Sequence, residues 1–116
     1  MQKNKNSLIS KYDKECLELA KEIIEANPAE GHSIESLTIK AGISRTKLSY
    51  GFKKIFSKSI HQFIISARME EAKRMLNESD EPIKAIAILC GYRNAQNFLT
   101  AFKKYTGSTP TQYKKR

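Results

Sequence analysis

Apolar residues recur at intervals of three and four along nearly the whole chain, and the breaks between these runs are short and polar. That period belongs to amphipathic helices. Tyr12, Cys16, Leu19, Ala20, Ile23 and Ile24 predict a helix from about Lys11 to Asn27. Asn27-Pro28 ends it, because proline disfavours helical geometry in the residue before it. Ser33 is placed to cap a short helix lined by Ile34, Leu37 and Ala41. Gly42 suits a left-handed turn, and Ser44 is placed to cap a helix running to about Phe56. On that helix Leu48, Phe52, Ile55 and Phe56 share a face. Ser59 and Gln62 fit a capping box ahead of a long helix to about Asn77. Its stripe is Ile65, Met69, Ala72 and Leu76, with Ile64, Arg68 and Met75 beside it, and at ~1.5 Å per residue it is roughly 27 Å long. Pro82 suits a first helical turn, and Ile83, Ile86, Ala87 and Cys90 form another short run. After Gly91-Tyr92, Asn94 caps a helix that turns Phe98, Ala101, Phe102 and Tyr105 inward. Thr109 to Gln112 reads as a capping box for a last short helix ending in Lys114-Lys115-Arg116.

The chain repeats itself. Ile34, Leu37, Ala41, Gly42 and Ile43 match Ile83, Ile86, Cys90, Gly91 and Tyr92 at a shift of 49 positions. After one added residue, Leu48, Phe52, Lys53, Lys54 and Ile55 match Phe98, Phe102, Lys103, Lys104 and Tyr105 at a shift of 50, and Phe63 lies at the same shift from Tyr113. Glycine turn, capping residue and second helix form the pattern of a helix-turn-helix unit, here in two copies. The prediction is an all-α protein of seven helices. A first helix-turn-helix subdomain spans 11–58, a connecting helix 59–78 and a second subdomain 79–116, with 1–10 as linker or frayed N-terminus.

Charge sharpens the picture. The net charge is +9, unevenly spread. Residues 1–31 carry five Lys against six acidic residues, and residues 32–116 carry sixteen Lys or Arg against six. The basic excess lies where the repeat lies, which favours a polyanion partner, nucleic acid being the commonest. Valine is absent and little alternates with a β period. Cys16 and Cys90 are the only cysteines. Without a signal peptide they point to a reducing, cytoplasmic setting, with Cys90 as a small packing residue and no disulfide. His32 and His61 match no metal-ligand spacing, so no metal and no cofactor is expected. No run is long and apolar enough to span a membrane.

The inward residues account for folding, not for the opposite faces of the two second helices. A helix needing only solubility mixes Glu with Lys, yet neither second helix contains an acidic residue. They present amide, hydroxyl and basic groups. Gln and Asn suit adenine edges, Ser and Thr donate, accept or meet a thymine methyl, and Lys and Arg neutralise phosphate. Thr46, Ser49, Tyr50, Gln96, Asn97 and Thr100 are the expected base readers. Arg45, Lys47, Lys53, Lys54, Arg93, Lys103 and Lys104 are the expected phosphate contacts. Arg68 has two readings, a phosphate contact or an ion pair with an acidic neighbour. Gly51 inside a helix costs roughly 1 kcal/mol against alanine, which suggests close approach of another backbone or a tolerated weakness.

From about Ser33 to Tyr113 the chain resembles the C-terminal DNA-binding domain of AraC/XylS-type transcription regulators. The resemblance rests on SIESLTIKAGIS, RMEEAKRML at 68–76 and IKAIAILCGYRNAQNFLTAFKKYTGSTPTQYKK. It implies seven helices, two helix-turn-helix units and a connecting helix, with the second helices in successive major-groove segments on one side of double-stranded DNA. Thr46, Ser49, Tyr50 and Thr100 stand where some relatives carry bulkier or basic readers, which leaves the target sequence open. Relatives commonly carry a sensing domain. The expectation is therefore an excised C-terminal domain, with a small stand-alone regulator as the other reading. RNA polymerase is a possible second partner, and a helical protein-interaction module is the competing function. No nucleophile–base pair or phosphate-cradling glycine loop supports an enzyme.

Overall fold

The computed structural model describes residues 9–114. Within them the chain forms seven α-helices and no strand: α1 (Lys11–Ala26), α2 (Ile34–Ala41), α3 (Arg45–Phe56), α4 (Ile60–Glu78), α5 (Ile83–Leu89), α6 (Ala95–Thr106) and α7 (Pro110–Lys114). Most of the expected linker, and the last two residues expected in the final helix, lie outside the described residues. Ser10, assigned to the linker by sequence, instead caps α1: its hydroxyl accepts from Asp13 N–H, and its own N–H donates to the Asp13 carboxylate.

Local chemistry sets the other ends. Ser33 and Ser36 make a reciprocal cap on α2, and Ser44 and Asn94 cap α3 and α6. Ser59–Gln62 and Thr109–Gln112 close the predicted capping boxes. The turns after α2 and α5 hold Gly42 and Gly91 at φ 74° and 97°. Pro82 sits at the N-cap of α5, one position before the expected first helical turn, because its extended ψ of 153° keeps it outside the helix.

The chain divides into two compact units, residues 9–27 with His32–Ile64, and Pro28–Gly31 with residues 65–114. In the first, α1 packs on α2 and α3, and α2 on α3. Its core holds Leu17, Ala20, Ile24, Leu37, Leu48 and Phe52. In the second, Met69, Ala72 and Leu76 of α4 form one cluster with Ile86, Ala87, Cys90, Phe98 and Phe102. Cys16 and Cys90 are both free and buried, and burial pushes the Cys90 thiol up to about 11.

The repeat is visible in the packing. Phe63 meets Phe52 edge-on at 5.4 Å between ring centroids, and Tyr113 meets Phe102 at 5.7 Å in the same way. The start of α4 thus does for the first unit what α7 does for the second.

Several inward assignments shift. On α1 the buried stripe is Asp13, Cys16, Leu17, Ala20 and Ile24. Tyr12 is 60% exposed and Leu19 is also at the surface. Both lie to one side of the stripe, whose first member is a carboxylate that hydropathy reads as polar. Ile55 and Tyr105, a repeat pair expected inward, are 36% and 39% exposed, because they fall in last turns that overrun their cores. Gly51 is buried, but a side chain rather than a backbone crowds it: an added Cβ would lie 2.7 Å from Leu17 Cδ1.

Arg68 fits neither of its two readings. Its Nε donates to the Pro28 carbonyl at 2.8 Å, Nη2 to that of Glu30 at 3.1 Å and Nη1 to that of Gly91 at 3.4 Å. Its guanidinium lies 5.5 Å from the Tyr92 ring centroid. A planar group with five donors suits several carbonyls at once, and here they belong to the two loops of the second unit.

Candidate nucleic-acid interface

Each unit presents one helix whose outer face is unused by its core. On α3, Leu48, Gly51 and Phe52 turn inward. Arg45, Thr46, Lys47, Ser49, Lys53 and Lys54 are exposed, and Tyr50 is half-buried at their edge. On α6, Phe98 and Phe102 turn inward, while Gln96, Asn97, Thr100, Lys103 and Lys104 are exposed, as is Arg93 in the preceding turn. Positions 46, 49, 50 and 53, like 96, 97, 100 and 103, lie three and four apart and so share a face. Capping fixes the start of each face, since the N–H groups of Lys47 and Asn97 are bound by Ser44 and Asn94.

The α6 face is concave. Gln96, Leu99, Thr100, Lys103 and Lys104, with Thr109 opposite, line an open depression of about 470 Å³. Lys53, Lys54, Lys103 and Lys104 occupy last turns, where a cation also complements the negative end of the helix dipole. These four lysines therefore stand at the surface at little cost.

The α3 face is tied to α1. Tyr12 Oη donates to the Gly42 carbonyl at 2.7 Å, and Cys16 Sγ lies 3.6 Å from the same oxygen. Lys47 Nζ stands 3.4 Å from Asp13 Oδ2. The bond from Ser10 N–H, helped by Lys47, holds the Asp13 carboxyl below the usual carboxylate range, against the opposing effect of burial. Asp13, Tyr12, Leu99 and Thr109 were not among the expected site residues. For Asp13 the sequence signals the cap, since Ser10-Lys11-Tyr12-Asp13 is a capping-box pattern, but not the burial: Gln62 and Gln112, in the same position of their own boxes, are exposed. Among the described residues no three His, Cys, Asp or Glu side chains come together as a metal site, and no helix is long and apolar enough to cross a membrane.

A family model described as a helix-turn-helix domain matches residues 37–116. A probable AraC family transcriptional regulator from Rhodopseudomonas palustris superimposes with a TM-score of 0.76 at 26% identity, over 87% of this chain and 95% of that one. The chain belongs to the AraC/XylS family. Its paired units are a sequence-specific DNA-binding domain of transcription regulation. The DNA-binding domain of AdpA, solved in complex with a target DNA, matches this AraC-family chain with a TM-score of 0.80 at 25% identity, over 86% of this chain and 90% of that one. A bifunctional transcriptional activator/DNA repair enzyme, AdaA of Bacillus subtilis, is 35% identical over 102 residues, 88% of this chain and 48% of that protein. The chain spans about half or less of the length of the curated relatives it matches.

Proposed function

We propose that α3 and α6 are the recognition helices of this AraC-family domain, entering successive major-groove segments of one DNA duplex. The observation that carries the reading is an exposed face without a carboxylate on both helices, repeated at matching positions. Thr46, Ser49 and Tyr50 read bases in one segment, and Gln96, Asn97 and Thr100 in the other. Arg45, Lys47, Lys53, Lys54, Arg93, Lys103 and Lys104 are the cations from which the phosphate contacts are drawn, Lys47 alone among them standing against a carboxylate, that of Asp13. Residues 11–58 and 79–114 act as the two reading subdomains, with 59–78 as the helix that connects them. The domain works without chemistry of its own, in a bacterial cytoplasm, under a sensing domain carried elsewhere in the regulator.

Selection of bound sites from random duplexes, followed by footprinting, tests this. Two protected segments about one helical turn, ~34 Å, apart are expected. Gln96→Ala or Asn97→Ala should cost roughly 1–3 kcal/mol of discrimination in one segment only, and Thr46→Ala should relax the other. Equal binding to every duplex, unaffected by these changes, overturns the reading.

A second reading has its own observation. Ile39 is 82% exposed, and Ile88, its partner at the 49-residue shift, is exposed beside Leu89. These residues offer RNA polymerase or another regulator an apolar contact on α2 and α5. Ile39→Ser and Ile88→Ser that lower transcription activation without lowering DNA affinity would favour it.

A further inference from the structure

We propose that Asp13 is a positioning residue for DNA binding: it holds Lys47 off the phosphate backbone and spends that cation on fixing the start of α3. The inference rests on α3 being a recognition helix, and refines which of its cations meet DNA.

Three observations carry it. The first is which partner can move. Asp13 is buried, and its Oδ2 accepts both from Ser10 N–H at 3.1 Å and from Lys47 at 3.4 Å. Its stretch of α1 is pinned to the turn before α3 by Tyr12 Oη on the Gly42 carbonyl. The carboxylate is fixed. To neutralise a phosphate, Lys47 would have to give up this pair and leave the carboxylate with the Ser10 N–H bond alone, which offsets part of what the phosphate contact gains.

The second is the place of Lys47 in its helix. It is the third residue of α3, behind Arg45, at the positive end of the helix dipole. A cation there is disfavoured unless an anion answers it. Asp13 is that anion, supplied from another helix.

The third is the repeat. Counting from the caps Ser44 and Asn94, the residue equivalent to Lys47 in α6 is Asn97, which is neutral. With Asp13 counted, the corresponding place on α3 is neutral as well. At this third position the two recognition helices then carry the same charge, Arg45 is left as the cation in the first turn of α3 where α6 has Ala95, and both helices hold their lysine pairs in the last turn. A fixed carboxylate beside the groove also repels a duplex that docks too close at that end, and repulsive elements of this kind contribute to specificity.

The test is the salt dependence of affinity for the duplex recovered by selection, since each neutralised phosphate contributes about 0.9 to the slope of log K against log salt. In the unmodified chain Lys47→Met should leave the slope unchanged, whereas Lys53→Met should lower it by about 0.9. Asp13→Asn, which keeps an acceptor for Ser10 N–H, should steepen the slope by about 0.9 as the freed lysine finds a phosphate. Adding Lys47→Met should cancel that gain. A cap lost by Asp13→Asn alone would change affinity without steepening the slope. A drop of about 0.9 on Lys47→Met in the unmodified chain overturns the proposal, as does an Asp13→Asn slope that does not move in a chain that still melts cooperatively. If Asp13→Asn fails to fold, Lys47→Met alone decides, because the Lys47 side chain is half exposed and Ser10 N–H still binds the Asp13 carboxylate in that variant. Absence of any duplex binding by the unmodified chain would sink the recognition-helix reading too. Binding that persists with a lowered Lys47→Met slope sinks only the role of Asp13.

Discussion

Ser57 closes α3 in the backbone conformation with which Gly107 closes α6, at φ 64° and 85°. The two are equivalent at the 50-residue shift, and Ser57 is the only residue other than glycine with positive φ among the described residues. A side chain in that region costs roughly 1–2 kcal/mol, offset in part by the entropy that glycine loses on folding. Ser57→Gly should therefore raise stability by about 0.5–1 kcal/mol. Gly107→Ala should lower it by about 1 kcal/mol through backbone strain alone, since nothing lies within 4 Å of the added carbon. Thermal melts of the two variants check both signs.

Gly51→Ala should behave oppositely to helix propensity. In an exposed helix the change would stabilise by roughly 1 kcal/mol. Here the methyl would meet Leu17 Cδ1 at 2.7 Å, and Leu17 is fully buried, so it must shift inside a packed core to make way. Overpacking of this kind costs about 1–3 kcal/mol. Combining it with Leu17→Ala should cost less than the sum of the single changes, because the deletion makes room for the methyl. Denaturant titrations of the cycle measure the coupling.

Arg68→Met strips one cation from three carbonyls and an aromatic face. Hydrogen bonds from charged groups contribute about 1.5–3 kcal/mol each when a partner is removed, and part of that is recovered as water reaches the loops. A loss of about 2–3 kcal/mol is expected. Arg68→Lys should restore only a minor part, because an ammonium does not reproduce the planar fork. Gly91→Ala should be as damaging, since its Cβ would lie 2.8 Å from the Ala29 carbonyl oxygen and 3.0 Å from Arg68 Cζ. Chemical denaturation followed by helical signal reads these losses.

The acid limb of stability should depend on Asp13. Ser10 N–H and Lys47 favour its ionised form in the folded chain, and the nearby Tyr12 is neutral at acid pH, so its folded pKa lies below the unfolded value. Its contribution is therefore present above the unfolded pKa, about 3.9, and is lost as pH falls through the lower folded value. Asp13→Asn should flatten this loss while leaving the neutral-to-alkaline limb unchanged in shape. Melting temperature against pH, from neutral downward, shows whether it does.

The helices and both faces of the repeat were legible because each is written in local code. Period 3.6, a cap residue and a turn glycine recur at fixed spacing, and the exposed, acid-free faces of α3 and α6 follow from the same spacing. What was illegible depends on partners distant in the chain. Arg68 finds its carbonyls at residues 28, 30 and 91, and no spacing announces a carbonyl. Asp13 reads as solvent-facing until its cap and Lys47 are seen together. The crowding of Gly51 depends on Leu17, which lies one position to the side of the apolar stripe that Tyr12, Cys16, Leu19, Ala20, Ile23 and Ile24 predict for α1.

The two cysteines give each unit its own chemical clock. Cys90 is shut inside the second core and, with its thiol raised to about 11, holds almost no thiolate at neutral pH, and Cys16 is buried in the first. Alkylation of either must wait for its surroundings to breathe. Mass spectrometry of the two labelled peptides over time would thus time the opening of each half separately, and a bound duplex that steadies one half more than the other would slow one label and spare the other.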